Sequence, residues 1–137
     1  MNDYSVSSAA VVMVGIMAAI LLGASNAHAS ASGCTQLGDW RTDYVCINVR
    51  GTRLWINTVR ADYTAPIAWP CNTKLSITFF DLNNVQYEQH FSPLEGSCRG
   101  ERAYTINPNR PYRAGRVCAA LWINGVARPG ACVSIHD

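Results

Sequence analysis

The stretch that decides the fold is residues 116–135, RVCAALWINGVARPGACVSI. Asn124-Gly125 stands between two apolar runs, and this dipeptide favours a two-residue type I′ turn. Pro129-Gly130 interrupts the returning run, which indicates a bulge or an edge position. Counting outward from the turn leaves Cys118 one position out of register with Cys132, and a one-residue bulge at the Pro-Gly pair brings them together. The stretch therefore predicts a β-hairpin closed by a disulfide.

Short segments rich in Val, Ile, Thr, Tyr and Trp, separated by turn residues, precede this hairpin and predict further strands. In the first, residues 44–49, three apolar side chains alternate, so Val45, Ile47 and Val49 share one face. We expect a turn at residues 50–52 and a returning strand with Leu54 and Ile56 inward, although Trp55 and Val59 compete for that face. The predicted strands are residues 44–49, 53–60, 75–81, 85–92, 103–106 and 116–123, followed by a return after Gly125.

Seven or eight such strands predict an all-β fold, an antiparallel β-sandwich that is immunoglobulin-like in broad architecture. The Cys, Trp and Cys spacing of a true immunoglobulin domain is absent. Six cysteines in a small exported domain indicate a disulfide framework. Six cysteines allow 15 pairings, of which we favour the sequential one, Cys34–Cys46, Cys71–Cys98 and Cys118–Cys132.

The N-terminal segment has the pattern of a secretory signal peptide. Residues 9–23 form an apolar run shorter than the roughly 20 residues that a membrane span needs, and Ala27-His28-Ala29 suits a signal peptidase. The first eight residues carry Asp3 and no Lys or Arg, which departs from the usual pattern. We expect a signal peptide at residues 1–29 and one secreted domain at residues 30–137, with an uncleaved anchor as the alternative.

Composition and motifs narrow the classes of function. The formal net charge is +2, too small to indicate nucleic-acid binding by itself, so we expect no nucleic-acid partner. The sequence contains no HExxH, GxSxG or CxxC motif, so we expect no metal, no cofactor and no membrane contact after cleavage. The favoured hypothesis is a secreted, non-enzymatic module that binds an extracellular protein.

Arginine and tyrosine are concentrated in residues 99–116, and both are favoured at binding hot spots. The alternative is a solvated loop whose Arg stems cover apolar surface. Trp69, in a Pro-containing loop, is a further anchor candidate, although such a residue more often closes the end of a sandwich core. The candidate contact residues are Trp69, Arg99, Arg102, Tyr104, Arg110, Tyr112, Arg113 and Arg116.

Two alternatives remain open. A protease inhibitor would present a disulfide-held loop, residues 66–71 or residues 93–99, the second placing Arg99 just after Cys98. A small secreted ribonuclease would use Glu88 and His90 as base and acid, with an Arg stabilising the phosphorane. The simpler interpretation of Glu88 and His90 is a polar pair on an outer sheet face.

The whole mature chain resembles small secreted proteins of filamentous actinobacteria, a group that includes the adaptor subunit of umbrella toxin particles. The residues that carry this resemblance are 44–49, Gly51, Leu54, Cys71-Asn72, Cys98, Arg102-Ala103-Tyr104, Cys118, Trp122, Asn124-Gly125 and 132–136. The resemblance implies a small β-domain that links a lectin-like subunit to a repeat-bearing toxin chain, with an N-terminal extension inserted into a repeat cleft. In this chain only residues 30–43 could insert, and Cys34 ties part of them, so the Arg-rich loop is the other candidate contact.

Overall fold

The structure, a computed structural model, describes residues 30–37 and 43–137, and the expected signal peptide, residues 1–29, lies outside them. The described residues form ten strands: β1 (Ala31–Gln36), β2 (Tyr44–Thr52), β3 (Trp55–Thr64), β4 (Thr73–Asp81), β5 (Gln86–Phe91), β6 (Glu101–Ile106), β7 (Arg110–Pro111), β8 (Gly115–Ile123), β9 (Val126–Ala127) and β10 (Ala131–Ile135). Within these residues there is no helix long and apolar enough to cross a membrane.

The strands form two antiparallel sheets, which confirms the predicted all-β sandwich. Sheet A has the order β1-β2-β3-β6, with β7 beside β3, and sheet B has the order β10-β8-β4-β5, with β9 beside β8. At one edge of the sandwich β1 meets β10, where a Cβ on Gly33 would lie 3.3 Å from the carbonyl oxygen of Cys132. At the other edge Arg110 of β7 reaches Glu88 of β5, and Arg102 of β6 reaches Thr73 of β4.

The core lies between the two inner faces. Val45, Ile47 and Val49 of β2 are buried, as their alternation predicts. They belong to a cluster whose other large members are Ile56, Val59, Tyr63, Leu75, Ile77, Phe79, Tyr112, Val117, Leu121, Val133 and Ile135. Burying one such side chain stabilises the fold by about 1.5–3 kcal/mol, so this cluster fixes the positions of the strands that carry the surface residues.

The first hairpin departs from the prediction of a turn at residues 50–52. Strands β2 and β3 stay paired as far as Thr52 opposite Trp55, and the turn falls at Arg53-Leu54, where Arg53 has φ 54°. A shift of register at Arg50/Gly51 leaves an extra residue in β3. Both Ile56 and Val59 therefore face the core, and the expected competition between the two faces does not arise.

The last hairpin follows the prediction closely. Asn124 and Gly125 have φ 50° and 77°, as a type I′ turn requires. Beyond the turn the register slips by one residue at Pro129-Gly130, and Cys118 lies directly opposite Cys132. A Cβ on Gly130 would lie 2.1 Å from the carbonyl oxygen of Ala119, which explains why this bulge uses glycine.

The three disulfides have the sequential pairing that we favoured. Cys34–Cys46 joins β1 to β2, and Cys118–Cys132 joins β10 to β8. Each of these bridges fastens an edge strand to its neighbour within one sheet, unlike the bridge between sheets of an immunoglobulin domain. Cys71–Cys98 instead joins the loop before β4 to the loop after β5.

Strand β1 was not predicted, because its sequence ASGCTQ has no apolar alternation. All six of its residues pair with β2, from Ala31 opposite Val49 to Gln36 opposite Tyr44. Residues 31–36 are therefore an edge strand of sheet A, not the free extension that insertion into a repeat cleft would need. The following residues, 38–42, lie outside the described residues.

Candidate functional site

The candidate contact residues do not form one surface. Strand β3 pairs with β6 at its C-terminal end, where Thr64 lies opposite Glu101, and with β7 at its N-terminal end, where Trp55 lies opposite Pro111. Arg99, just before β6, and Arg110, in β7, are therefore at opposite ends of the sandwich. The Arg-rich segment therefore contributes to two separate regions of the surface.

The first region is built from two loops, residues 65–72 and residues 92–100, which we call the stapled end. Besides the Cys71–Cys98 bridge, backbone hydrogen bonds join them. The amides of Ala65 and Arg99 donate to the carbonyl oxygens of Gly100 and Pro70 at 2.6 and 3.1 Å, and Thr73 and Glu95 exchange two bonds of 2.9 and 2.8 Å. The backbone of this end is thus fixed by covalent and hydrogen bonds between the loops.

Large apolar side chains project from the stapled end. Ile67, Trp69 and Leu94 have exposed fractions of 80%, 62% and 66%. Trp69 therefore does not close the sandwich core. Its indole rests on Gly100, where a Cβ would lie 2.4 Å from the indole Nε1 and 2.7 Å from the carbonyl oxygen of Ala65. Glycine at position 100 is needed for this close approach.

Arg99 is also exposed at the stapled end. Its nearest carboxylate is that of Glu95, with Nε and Oε2 4.0 Å apart, so the guanidinium keeps most of its hydrogen-bonding capacity. An open groove of about 740 Å³ lies between Trp69 and Arg99, bordered by Thr64 and Glu101. The stapled end combines exposed apolar side chains with the exposed cation of Arg99.

Arg102 is half-buried, and its guanidinium bonds within the domain. Its guanidinium donates to the carbonyl oxygen and Oγ1 of Thr73 at 3.0 and 3.1 Å, and to the carbonyl oxygen of Pro93 at 3.1 Å. It thereby joins β6 of sheet A to β4 of sheet B and to the second loop of the stapled end. The prediction that Arg102 binds a partner did not foresee these acceptors, which the sequence does not reveal.

The second region surrounds Glu88 of edge strand β5. Glu88 Oε1 lies 2.5 Å from His90 Nε2 and accepts a 3.0 Å hydrogen bond from the Tyr112 hydroxyl, while Oε2 lies 2.5 Å from an Arg110 nitrogen. We call these four residues the Glu88 cluster. The expected association of Glu88, His90 and an Arg is therefore present in the structure.

The Glu88 cluster lies on the inner face of sheet B, at its rim. Glu88 is opposite Phe79 and His90 is opposite Ile77, both core residues, and directly opposite residues share a face. Glu88 and His90 therefore do not form a pair on the outer face of the sheet. A bulge at Tyr87 immediately precedes them, a common device for redirecting side chains beside a functional site.

Electrostatics in the cluster favour an ionised Glu88. Burial alone would raise the pKa of Glu88, but the hydrogen bonds from His90, Arg110 and Tyr112 lower it below its ordinary value of 4.5. Burial, with the hydrogen bond and charge of Glu88, raises the pKa of Tyr112 to about 12. Tyr112 therefore stays a neutral donor at neutral pH.

Tyr112 was predicted as a contact residue, but it is buried and its ring stacks on Phe79 with the centroids 4.2 Å apart. Tyr104 is half-buried against the core. Arg113 and Arg116 are exposed, over the rings of Tyr87 and Phe80. Of the remaining candidates, Arg110 and Arg113 border one cavity of about 390 Å³ beside Glu88.

Sequence reasoning missed Ile67 and Leu94 as exposed apolar residues, since no pattern in a loop shows which way a side chain points. Among the described residues, no three His, Cys, Asp or Glu side chains group as metal ligands. Comparisons with protein-family models, with curated proteins and with solved structures found no match for this chain.

Proposed function

We propose that the protein is a secreted module that binds another extracellular protein through its stapled end. The observation that carries this proposal is the exposure of Trp69, Ile67 and Leu94 on two loops that a disulfide and backbone hydrogen bonds hold together. Exposed apolar surface of this kind is a mark of interaction sites. Tryptophan and arginine are also the residue types most enriched at binding hot spots.

Rigidity supports binding because a fixed surface loses little conformational entropy when it meets a partner. In the stapled end, the backbone on both sides of Trp69 is held by the bonds from Ala65 to Gly100 and from Arg99 to Pro70. Ordering an equivalent free loop would cost about 1–2 kcal/mol per residue. The partner surface that suits this end has an apolar pocket for the indole and a carboxylate for Arg99.

The protease-inhibitor alternative fits the stapled end less well. Inhibitory loops pair their backbone with the protease as an extended strand. In residues 93–99, the amide of Arg99 and both backbone groups of Glu95 are already bonded to Pro70 and Thr73. Recognition by side chains is therefore favoured over inhibition. Linking subunits of an antibacterial toxin assembly, as the resemblance implies, is the form of binding that we propose, and three disulfides suit an extracellular compartment.

The test compares two exposed tryptophans. Tagged Trp69→Ala and Trp55→Ala variants are secreted, and the proteins that co-purify with each are identified by mass spectrometry. Trp55 is 49% exposed but lies at the opposite end of β3, so it is the matched control. Loss of a hot-spot tryptophan costs about 2 kcal/mol or more, which is roughly a 30-fold weaker affinity.

We expect one stoichiometric partner to bind the wild type and Trp55→Ala and to be lost with Trp69→Ala. Equal recovery with all three proteins would place the contact elsewhere. A wild-type protein that is recovered alone and elutes as a monomer would contradict the binding function itself.

A further inference from the structure

From the Glu88 cluster we propose a second function: an RNA-cleaving site in which His90 is the general base, Glu88 positions it, and Arg110 and Arg113 hold the phosphate. This site is independent of the stapled end. It also reverses the expectation that nucleic acid is not a ligand, which was drawn from net charge. Glu88, Arg110 and Arg113 border the cavity of about 390 Å³, and His90 adjoins it through its contact with Glu88 without lining it. The charge of these residues is more relevant to a phosphate than the sum over the chain.

The contact between Glu88 and His90 assigns their roles. A base and an acid that act on opposite sides of a phosphate cannot be bonded to each other, so Glu88 is not the base that the sequence suggested. An ionised Glu88 accepts hydrogen bonds only, and His90 Nε2 must therefore carry the proton that it donates. The lone pair of the neutral ring is then on Nδ1, which makes no hydrogen bond with any described residue.

The rim position leaves the reactive groups accessible. The Glu88 side chain has an exposed fraction of 18%, whereas His90 and Arg110 have 36% and 53%. Arg110 uses one terminal nitrogen on Glu88 and keeps its other donors for a ligand. The ring of His90 also packs edge-on against the buried Phe79, with the centroids 6.4 Å apart, and this contact restricts its orientation.

The substrate class follows from what the site provides. A base and cations are present, but no serine, threonine or cysteine is bonded to His90 among the described residues. Such a site suits a reaction whose nucleophile belongs to the substrate. RNA meets this condition, since its 2′-hydroxyl lies next to the scissile phosphodiester, and DNA does not.

In the reaction, His90 Nδ1 takes the proton of the 2′-hydroxyl while the 2′-oxygen forms a bond to phosphorus. The bond from phosphorus to the 5′-oxygen breaks, and that oxygen takes a proton from water. Imidazolium then returns its proton to the solvent. The products are a 2′,3′-cyclic phosphate and a 5′-hydroxyl, and the arginines stabilise the charge of the phosphorane.

The test uses a fluorescent DNA oligonucleotide with one internal ribonucleotide, beside an all-DNA oligonucleotide of the same sequence. We expect the wild type to cleave only the first, at the ribonucleotide, leaving a cyclic phosphate detectable by mass. His90→Gln should lower kcat at least 100-fold, while His136→Gln, at the exposed C-terminal histidine, should leave it unchanged. Glu88→Gln should lower kcat with little change in KM, because its role is to orient His90.

Arg110→Gln is the second variant, since Arg110 is exposed and its loss leaves the core intact. It should raise KM at least threefold, and Arg128→Gln, at an exposed arginine between β9 and β10, should not. All variants are purified identically, so a contaminating nuclease would give equal rates in all of them. Equal rates in the wild type and His90→Gln, absence of cleavage by the wild type, or cleavage of the all-DNA oligonucleotide would each overturn the proposal.

Discussion

The stapled end and the Glu88 cluster are held together by different kinds of bond. At the stapled end, a disulfide and backbone hydrogen bonds fix the chain, and the side chains of Ile67 and Trp69 remain exposed. In the Glu88 cluster, the side chains fix one another through one shared carboxylate. No cysteine borders the cavity beside this cluster.

Whether a region is fixed through its backbone or through its side chains affects the kind of function for which it is suited. A surface fixed through its backbone can offer whole side chains to a partner, so it suits binding. A surface fixed through its side chains offers only unused donors and lone pairs, so it suits chemistry on a small group. Substitutions that affect one region and spare the other therefore test the comparison.

The largest effect is expected from Phe79→Ala. Phe79 is fully buried and contacts the rings of Tyr87, His90 and Tyr112. Removing a buried phenylalanine costs about 3–5 kcal/mol, measurable by urea unfolding. In the variant that remains folded, the Glu88 cluster should lose its activity while partner binding by Trp69 persists. Loss of both functions in equal measure would contradict the separation of the two regions.

The next effect concerns the bridge at the stapled end. Because Cys71 and Cys98 are separated by 27 residues, the chain-entropy model gives a loss of about 3–4 kcal/mol when both become Ala. Replacing Cys34 and Cys46 together, with a separation of 12 residues, should cost less. Chemical denaturation compares the two double variants, and only the first should weaken partner binding. A larger loss of stability in the variant without Cys34 and Cys46 would contradict the expected dependence on loop length.

Arg102→Met should have an intermediate effect, because it removes the donor to the buried Thr73 Oγ1, while the Thr73 carbonyl keeps its bond from the Glu95 amide. An unsatisfied buried acceptor costs about 1–3 kcal/mol, measured as a lower urea midpoint. The matched control is Arg99→Met, whose guanidinium is exposed and should contribute nothing measurable. Equal midpoints for the two variants would show that Arg102 is not structural.

Gly125→Ala should cost about 1–2 kcal/mol, because its φ of 77° is left-handed and an L side chain is strained there. No atom lies within 4 Å of the added Cβ, so the whole cost is conformational. Gly96→Ala, in the stapled end with negative φ and no close contact, should be nearly neutral. The difference between the thermal unfolding midpoints of the two variants measures the conformational strain at position 125.

The smallest effect is a pH dependence from Glu88. Its folded-state pKa lies below the ordinary value of 4.5, so its contribution to stability is present above pH 4.5 and is lost as the pH falls through the folded-state pKa. Glu88→Gln should flatten this part of the acid-unfolding curve. If Glu88→Gln and the wild type have the same acid-unfolding curve, the ionised Glu88 adds no stability to the fold.

The fold was largely predictable because it depends on local patterns. Turn chemistry at Asn124-Gly125 and Pro129-Gly130 set the register of Cys118 against Cys132, and alternation identified the core face of β2. Strand β1 was missed because small polar residues give no alternation signal. The turn after β2 was misplaced because a bulge that leaves an extra residue in β3 lets Gly51 and Thr52 stay paired.

The sites were less predictable because they depend on contacts between distant residues. Sequence indicated that Glu88 and His90 share a face, but Arg110 reaches Glu88 from 22 residues away. Arg102 and Tyr112 looked like surface residues in an Arg- and Tyr-rich segment, yet their acceptors and packing partners are in β4 and β5. Composition cannot distinguish an exposed arginine from one that joins two sheets.

The rigidity of the stapled end is tested most directly by amide hydrogen exchange at Ala65, Thr73, Glu95 and Arg99. These four amides donate to backbone carbonyls across the two loops, so they should exchange about as slowly as the amides inside β3. The Cys71→Ala, Cys98→Ala double variant should expose them selectively. Exchange of these amides in the wild type at the rate of an unstructured peptide would contradict a pre-formed binding surface.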